Sequence, residues 1–297
     1  MECGSLYRNA ESSEALDSTI EILSGDHFSI ASIHEFHKVL DFHHAAMMST
    51  DLENQLLDLW AALEGFLPTH DGSSDRIIWY INYILPTLTL KHNEKIFQSL
   101  ADDLKSEQDN ERLQNIINGI AHGENYFYKT IHIVSSEDYR DERSNLLGSI
   151  TNNPLLRNKV FEMSEKFKKT NKINRSLTKH REKIAIHLQR IYTLRNQIAH
   201  NATSLPYIRI LVENLHDYFD TIVLSVGTIG RRTPNVTDIH TALETISTIE
   251  ADYLDSLNTS IDINNENCLE LIFGKNNILS PCYILPPHAN PQNPSRA

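Results

Sequence analysis

The sequence predicts an all-α protein, a helical bundle with an irregular C-terminal tail. Apolar residues recur at the 3.6-residue period of an α-helix through most of the chain, and no segment shows the strict alternation expected of a half-buried strand. Clusters of Pro, Gly, Asn and Asp separate these periodic stretches, as helix ends require. With 297 residues and 40% hydrophobic content, the chain is long enough to bury a sizeable core.

The second of the predicted helices has the clearest boundaries, and the first has approximate ones. One is expected from Ile30 to Met48. The next opens at the capping box Thr50-Asp51-Leu52-Glu53, in which a threonine and a glutamate three residues later satisfy backbone donors of the first turn. It ends at Pro68, because proline lacks the N–H that a helix interior uses. Its apolar stripe consists of Leu52, Leu56, Leu59, Leu63, Phe66 and Leu67.

Eight further helices follow from the same periodicity and indicate a bundle. Their predicted ranges are 75–85, 91–106, 109–121, 137–149, 154–169, 174–200, 206–227 and 236–256. Beyond Leu257 the chain is rich in Asn and then in Pro, which predicts a short appendage and an extended tail. The predicted domain organisation is an N-terminal helical extension over 1–48, a helical domain over 49–256 and a C-terminal appendage over 257–297.

The lack of a recognisable targeting signal and the scattered cysteines predict a cytoplasmic protein without a membrane partner. The most apolar window, 77–85, is too short to span a bilayer, and the residues after Met1 lack the basic and apolar regions of a signal peptide. Cys3, Cys268 and Cys282 are scattered and form neither a disulfide framework nor a zinc pattern. We therefore expect reduced thiols.

The candidate site lies at the end of the predicted 174–200 helix. Arg195 falls on an apolar stripe, where a guanidinium costs free energy unless an anion or a polar partner meets it. Asn196 and His200 are four residues apart and share a neighbouring face. Arg195 and His200 lie about 140° apart around a helix, so either the helix ends at His200 or two copies of the motif meet. The stripe consists of Ile184, Leu188, Ile191 and Ile198.

Spacing alone does not select this motif, because three other Arg–His pairs in the chain have a similar separation. The Arg195 copy differs from them in three ways, of which the first is its position on the apolar stripe. An asparagine directly follows the arginine, and residues typical of a helix stop follow the histidine. The other pairs are Arg175 with His180, Arg181 with His187 and Arg209 with His216.

The run from Ile191 to His200 resembles the motif of the HEPN superfamily, in which an arginine and a polar residue such as asparagine precede a histidine at a helix end. The segment 59–67 is similar to the first core helix of the ApeA-like HEPN branch. The two landmarks cover about 49–256 of the chain. The resemblance implies a HEPN-like helical domain and a homodimer whose two motifs form one composite site. In many members that site is a metal-independent endoribonuclease, often in antiviral defence or toxin systems.

The predicted function is therefore cleavage of single-stranded RNA or tRNA by a homodimer. His200 would act as general base on the ribose 2′-hydroxyl or as acid on the leaving oxygen. Arg195 would neutralise the pentacovalent phosphorane, and Asn196 would hold either the imidazole or a non-bridging oxygen. The products would be a 2′,3′-cyclic phosphate and a 5′-hydroxyl, and DNA would be refused because it lacks the 2′-hydroxyl.

Two residues are expected to support this site. Glu64 lies at the margin of its helix stripe beside Trp60, where it either pairs with Arg195 or is an ordinary surface acid. Tyr192 lies one turn before Arg195. The structural alternatives for the motif are a salt bridge at Arg195 and a histidine that satisfies helix-terminal carbonyls.

Charge is unevenly distributed along the chain. The net charge is −12, but residues 157–195 carry twelve Lys or Arg against three Glu, a net +9. Such a stretch would attract RNA, although it could equally be a solvated helix surface. The candidate RNA-binding residues are Lys172, Arg175, Lys179, Arg181, Lys183 and Arg190.

No cofactor and no metal are expected. His34 and His37 are three residues apart, not four as on a metalloprotease helix, and no cysteine lies nearby. We also expect no metal site at the neighbouring His27, His43 and His44. The alternative function is a non-catalytic HEPN module that mediates protein–protein assembly, and a regulatory protein partner such as an antitoxin is possible in either case.

Overall fold

A computed structural model describes residues 28–72, 74–201 and 207–280. Within these ranges the chain forms eleven α-helices, a 3-10 turn at Glu137–Tyr139 and no β-strand, which confirms the all-α prediction. The helices are α1 (Ile30–Met48), α2 (Leu52–Phe66), α3 (Arg76–Ser106), α4 (Glu111–Asn118), α5 (Tyr126–Ser135), α6 (Arg140–Ser149), α7 (Pro154–Phe167), α8 (Thr170–Asn201), α9 (Ile208–Arg232), α10 (Ile239–Ser256) and α11 (Cys268–Phe273).

The described residues divide into two compact units. The first unit consists of the described residues up to Leu88 and of Glu182–Thr248. The second consists of Thr89–Arg181 and of the described residues that follow Thr248. Helices α3, α8 and α10 contribute residues to both units. The domain boundaries expected after residues 48 and 256 stay a prediction.

The core of the first unit is built around α2. Its side chains Trp60, Leu63 and Phe66 are fully buried, and both α1 and α9 pack against it. The helix begins one residue later than the capping box predicts. Asp51, not Thr50, is the N-cap, because its carboxylate accepts the Glu53 N–H at 3.1 Å and its charge suits a helix N-terminus.

The third helix corrects the sequence prediction most clearly. Two helices were expected, over 75–85 and 91–106, but α3 runs unbroken for 31 residues with Pro86 inside it. A proline in a helix interior costs about 3 kcal/mol. Ile84 and Leu88, on either side of it, are buried, so packing of a continuous apolar face offsets this cost.

The second unit contains two helices that the periodicity did not predict, α5 and α11. In α5 the six residues from Thr130 to Ser135 are all buried, polar and apolar alike, so polarity in the sequence does not mark the exposed side of this helix. Helix α11 is only six residues long. The core of this unit includes Phe97 and Phe167, whose ring centroids lie 4.6 Å apart.

The remaining helices differ from their predictions at their ends. Helix α4 is shorter than 109–121, the predicted 137–149 helix is divided into the 3-10 turn and α6, and α7 ends two residues early. Helix α8 starts four residues early, α9 extends five residues further, and α10 starts three residues late. The tail beyond Ser280, His27 and Cys3 lie outside the described residues. None of the described helices is both long and apolar enough to cross a membrane.

Candidate functional site

The apolar stripe of α8 is buried as predicted. Ile184, Leu188, Ile191 and Ile198 all face the interior, whereas Arg195 is half-buried and His200 is exposed. The helix continues to Asn201, so both residues of the motif lie inside it. They therefore keep their separation of about 140° around the axis.

Arg195 is held by two polar contacts. Its Nη2 lies 3.5 Å from Oε2 of Glu64, and the two side chains are 31% and 22% exposed. Its Nη1 donates to Oδ1 of Asn196 at 3.0 Å. The pairing of Glu64 with Arg195 is thus confirmed. Asn196 orients the guanidinium in this structure, a contact that the sequence did not predict.

An aromatic cluster contacts this ion pair through Tyr80. The Tyr80 hydroxyl hydrogen-bonds Glu64, and burial together with the charge of Glu64 raises the pKa of Tyr80 to about 12. Tyr80 is therefore a neutral donor at physiological pH. The Trp60 ring lies 5.5 Å from that of Tyr192 and 6.1 Å from that of Tyr80, measured between centroids. Tyr192 packs as part of this cluster.

A cleft of about 470 Å³ in the first unit lies beside the cluster, and Glu64 and Tyr80 are both in its lining. Glu64 thus connects the Arg195 guanidinium with the cleft. Lys38 and Arg76 give the lining two cations, and His70 is one of its two imidazoles. The carboxylates of Glu35 and Glu64 lie in the same lining, so the formal charges of the cleft balance. The sequence analysis missed Tyr80 and the cleft, because no local motif marks either.

The six candidate RNA-binding residues fall into two groups. Four are exposed: Arg175 and Lys179 in the second unit, and Lys183 and Arg190 in the first. The other two, Lys172 and Arg181, are engaged in ion pairs.

Lys172 Nζ lies 3.2 Å from a carboxylate oxygen of Glu165. Arg181 pairs with Glu250 and donates to the Thr89 hydroxyl at 3.3 Å. Glu250 is only 5% exposed, and a buried carboxylate needs a cation. This geometry favours a structural role for Arg181, and its part in RNA binding stays a prediction.

The N-terminal histidines are not grouped as their order in the sequence suggests. His34 and His37 are exposed on α1. His43, in contrast, meets two residues of α9, and the Nε2 atoms of His43 and His216 lie 3.1 Å apart. Asp220 completes the group. Burial lowers the pKa of His43 and the neighbouring His216 lowers it further, whereas Asp220 opposes this shift.

No family model, curated protein or solved structure matches the chain. The resemblance to the HEPN superfamily is therefore supported by the Arg195 motif and the 59–67 segment alone.

Proposed function

We propose that the chain is a metal-independent endoribonuclease of the HEPN type, which cleaves RNA by attack of the ribose 2′-hydroxyl. One observation carries this proposal. A half-buried arginine is oriented by Glu64 and Asn196, and an exposed histidine follows at the end of the same helix.

The fixed guanidinium suits the stabilisation of a phosphorane. The Arg195 guanidinium has five N–H donors, so it can pair with Glu64 and still donate to a phosphate oxygen. Glu64 and Asn196 restrict its position before substrate arrives, and such preorganisation makes electrostatic stabilisation effective. Tyr80 supports Glu64 from the cleft side through its neutral hydroxyl.

The proton transfers are assigned to His200. An imidazole can accept or donate a proton near neutral pH, and the exposure of His200 leaves it accessible to a polynucleotide. It would take the proton of the 2′-hydroxyl or protonate the 5′-oxygen that leaves. The phosphodiester is then exchanged for a 2′,3′-cyclic phosphate and a 5′-hydroxyl.

RNA would be attracted by exposed cations in the same unit. Lys183 and Arg190 lie on α8 before the motif, and their side chains face solvent. Contacts to phosphates are largely independent of sequence and weaken with salt. Single-stranded RNA and tRNA are the proposed substrates, and antiviral defence or a toxin system is the proposed setting, with a regulatory protein as a possible partner.

A second function is favoured by the ion pair itself. Because Glu64 already meets the charge of Arg195, the guanidinium has a partner without any phosphate. The chain would then be a non-catalytic helical module for protein assembly. Substitution of Arg195 by alanine should in that case weaken self-association, measured by sedimentation, without any cleavage to lose.

The deciding experiment compares wild type with His200→Ala on total tRNA and on a labelled single-stranded RNA in EDTA, followed by identification of the product ends. His34→Ala is the matched control, because it removes another exposed histidine, which lies on α1. We expect cyclic-phosphate ends from wild type and from His34→Ala, and none from His200→Ala.

Two outcomes would contradict the proposal. One is cleavage that requires added magnesium, and the other is full activity in His200→Ala. Absence of cleavage by a folded, dimeric wild type would favour the assembly module instead.

A further inference from the structure

Two helices of the first unit bring three metal-ligating side chains together. His43 lies on α1, and His216 and Asp220 lie one turn apart on one face of α9. Each residue offers a ligand atom within 4.8 Å of the other two. The side chains are 22%, 29% and 33% exposed, so an ion can reach them from solvent.

The distances within this cluster fit a shared ion. Two nitrogens that each bind one tetrahedral zinc at about 2.1 Å are separated by roughly 3.4 Å, and the Nε2 atoms of His43 and His216 lie 3.1 Å apart, so a small adjustment accommodates the ion. Asp220 Oδ1 is 3.8 Å from Nε2 of His43, within reach after a small side-chain rotation.

The orientation of both rings is also determined. Nδ1 of His216 lies 3.0 Å from Oδ2 of Asp220, and Nε2 of the same ring faces His43. The ring of His43 stacks on Phe219 with an interplanar angle of 14°. These contacts restrict the two imidazole rings before any ion binds, and Asp220 would turn from His216 to the ion.

We propose that His43, His216 and Asp220 bind a divalent transition-metal ion, Zn²⁺, and that this ion links α1 to α9. Two imidazoles with one carboxylate suit zinc, whereas Mg²⁺ and Ca²⁺ need predominantly oxygen ligands. Three protein ligands leave a position for water. The inference is independent of the proposed ribonuclease, since the cluster shares no residue with the Arg195 motif.

The test measures Zn²⁺ binding to the full chain, freed of any affinity tag and stripped with EDTA, by calorimetric titration. The variants are His43→Gln, His216→Gln and Asp220→Asn. His44→Gln is the matched control, because it removes the neighbouring, exposed histidine of the same helix. We expect one Zn²⁺ per wild-type chain, a loss of affinity of at least ~10-fold in the three variants and no change in the control.

A measurement on wild type alone guards against variants that fail to fold. Co²⁺ in place of Zn²⁺ should give the intense visible absorption of a four-coordinate site, and added Zn²⁺ should abolish it. Absence of Zn²⁺ binding by wild type would overturn the proposal. Wild-type affinity in folded His43→Gln and His216→Gln would overturn it equally.

Discussion

His132, a buried imidazole of the second unit, links stability to pH. Its side chain is 3% exposed, and burial lowers its pKa. His122, whose ring centroid lies 5.5 Å away, shifts the pKa in the same direction, and an interaction with Asn265 opposes the shift. In the unfolded chain the same histidine titrates near its ordinary pKa of about 6.5. Below that pH the unfolded chain binds more protons than the folded chain does, so stability is lost as the pH falls.

We therefore predict that His132→Gln reduces the pH dependence of unfolding. The wild-type urea midpoint should fall as the pH is lowered from about 7.5 to about 5.5, and the variant should lose part of that fall. His34→Gln, which replaces an exposed histidine, should behave as wild type does. Equal pH dependence in wild type and His132→Gln would show that this imidazole is not responsible.

The sequence could predict one contact of the candidate site because both partners were anomalous in their helices. Arg195 lies on an apolar seam and Glu64 beside a buried tryptophan, so each needed an opposite charge. Tyr80 carried no such signal, since a tyrosine on an apolar helix face is ordinary. His43 and His216 are 173 residues apart in sequence, and local spacing cannot detect such a pair.

At the scale of the helix, sequence patterns predicted the positions of most helices, but they did not predict every helix end. Pro86 indicated a helix end, because a proline removes a backbone hydrogen bond. The sequence around Pro86 does not show the tertiary packing that offsets this cost. Helix α5 was missed because it buries polar side chains: Thr130, His132 and Ser135 are buried with their apolar neighbours, so polarity in the sequence does not mark the exposed side. Both errors arise from tertiary contacts.

Gly230 allows α9 to approach Phe28 closely. A Cβ at this position would lie 2.5 Å from one ring atom of Phe28 and 2.7 Å from another, so an alanine forces the aromatic ring or the helix to move. We predict that Gly230→Ala destabilises the protein by about 1–3 kcal/mol, although alanine is the better helix former.

Gly148 in α6 is the matched control, because nothing lies within 4 Å of the Cβ that alanine would add. Gly148→Ala should stabilise the protein, by up to about 1 kcal/mol. Urea denaturation of both variants against wild type measures the two free energies of unfolding. Wild-type stability in Gly230→Ala would mean that α9 and Phe28 are packed less closely than the distances to the added Cβ indicate.

At the scale of the whole molecule, the net charge bears on RNA binding and the geometry of α8 bears on dimer formation. The acidic chain has a net charge of −12, which disfavours indiscriminate binding to RNA, so in the proposed ribonuclease a productive encounter would depend on the local cations near the motif. Arg195 and His200 point about 140° apart on α8, and one chain cannot easily direct both at a single phosphate. A homodimer in which Arg195 of one chain works with His200 of the other removes this difficulty.

This arrangement predicts recovery of activity in mixed dimers. Arg195→Ala and His200→Ala should each be inactive alone, but after subunit exchange a mixed dimer contains one intact Arg195–His200 combination across the two chains. With random pairing, half of the dimers are mixed. Each mixed dimer has one intact Arg195–His200 combination, whereas a wild-type dimer has two, so cleavage should reach at most about a quarter of the wild-type rate. Each variant exchanged with itself should stay inactive. No recovery, in a preparation where mass spectrometry shows mixed dimers and wild type cleaves RNA, would mean that both residues act within one chain.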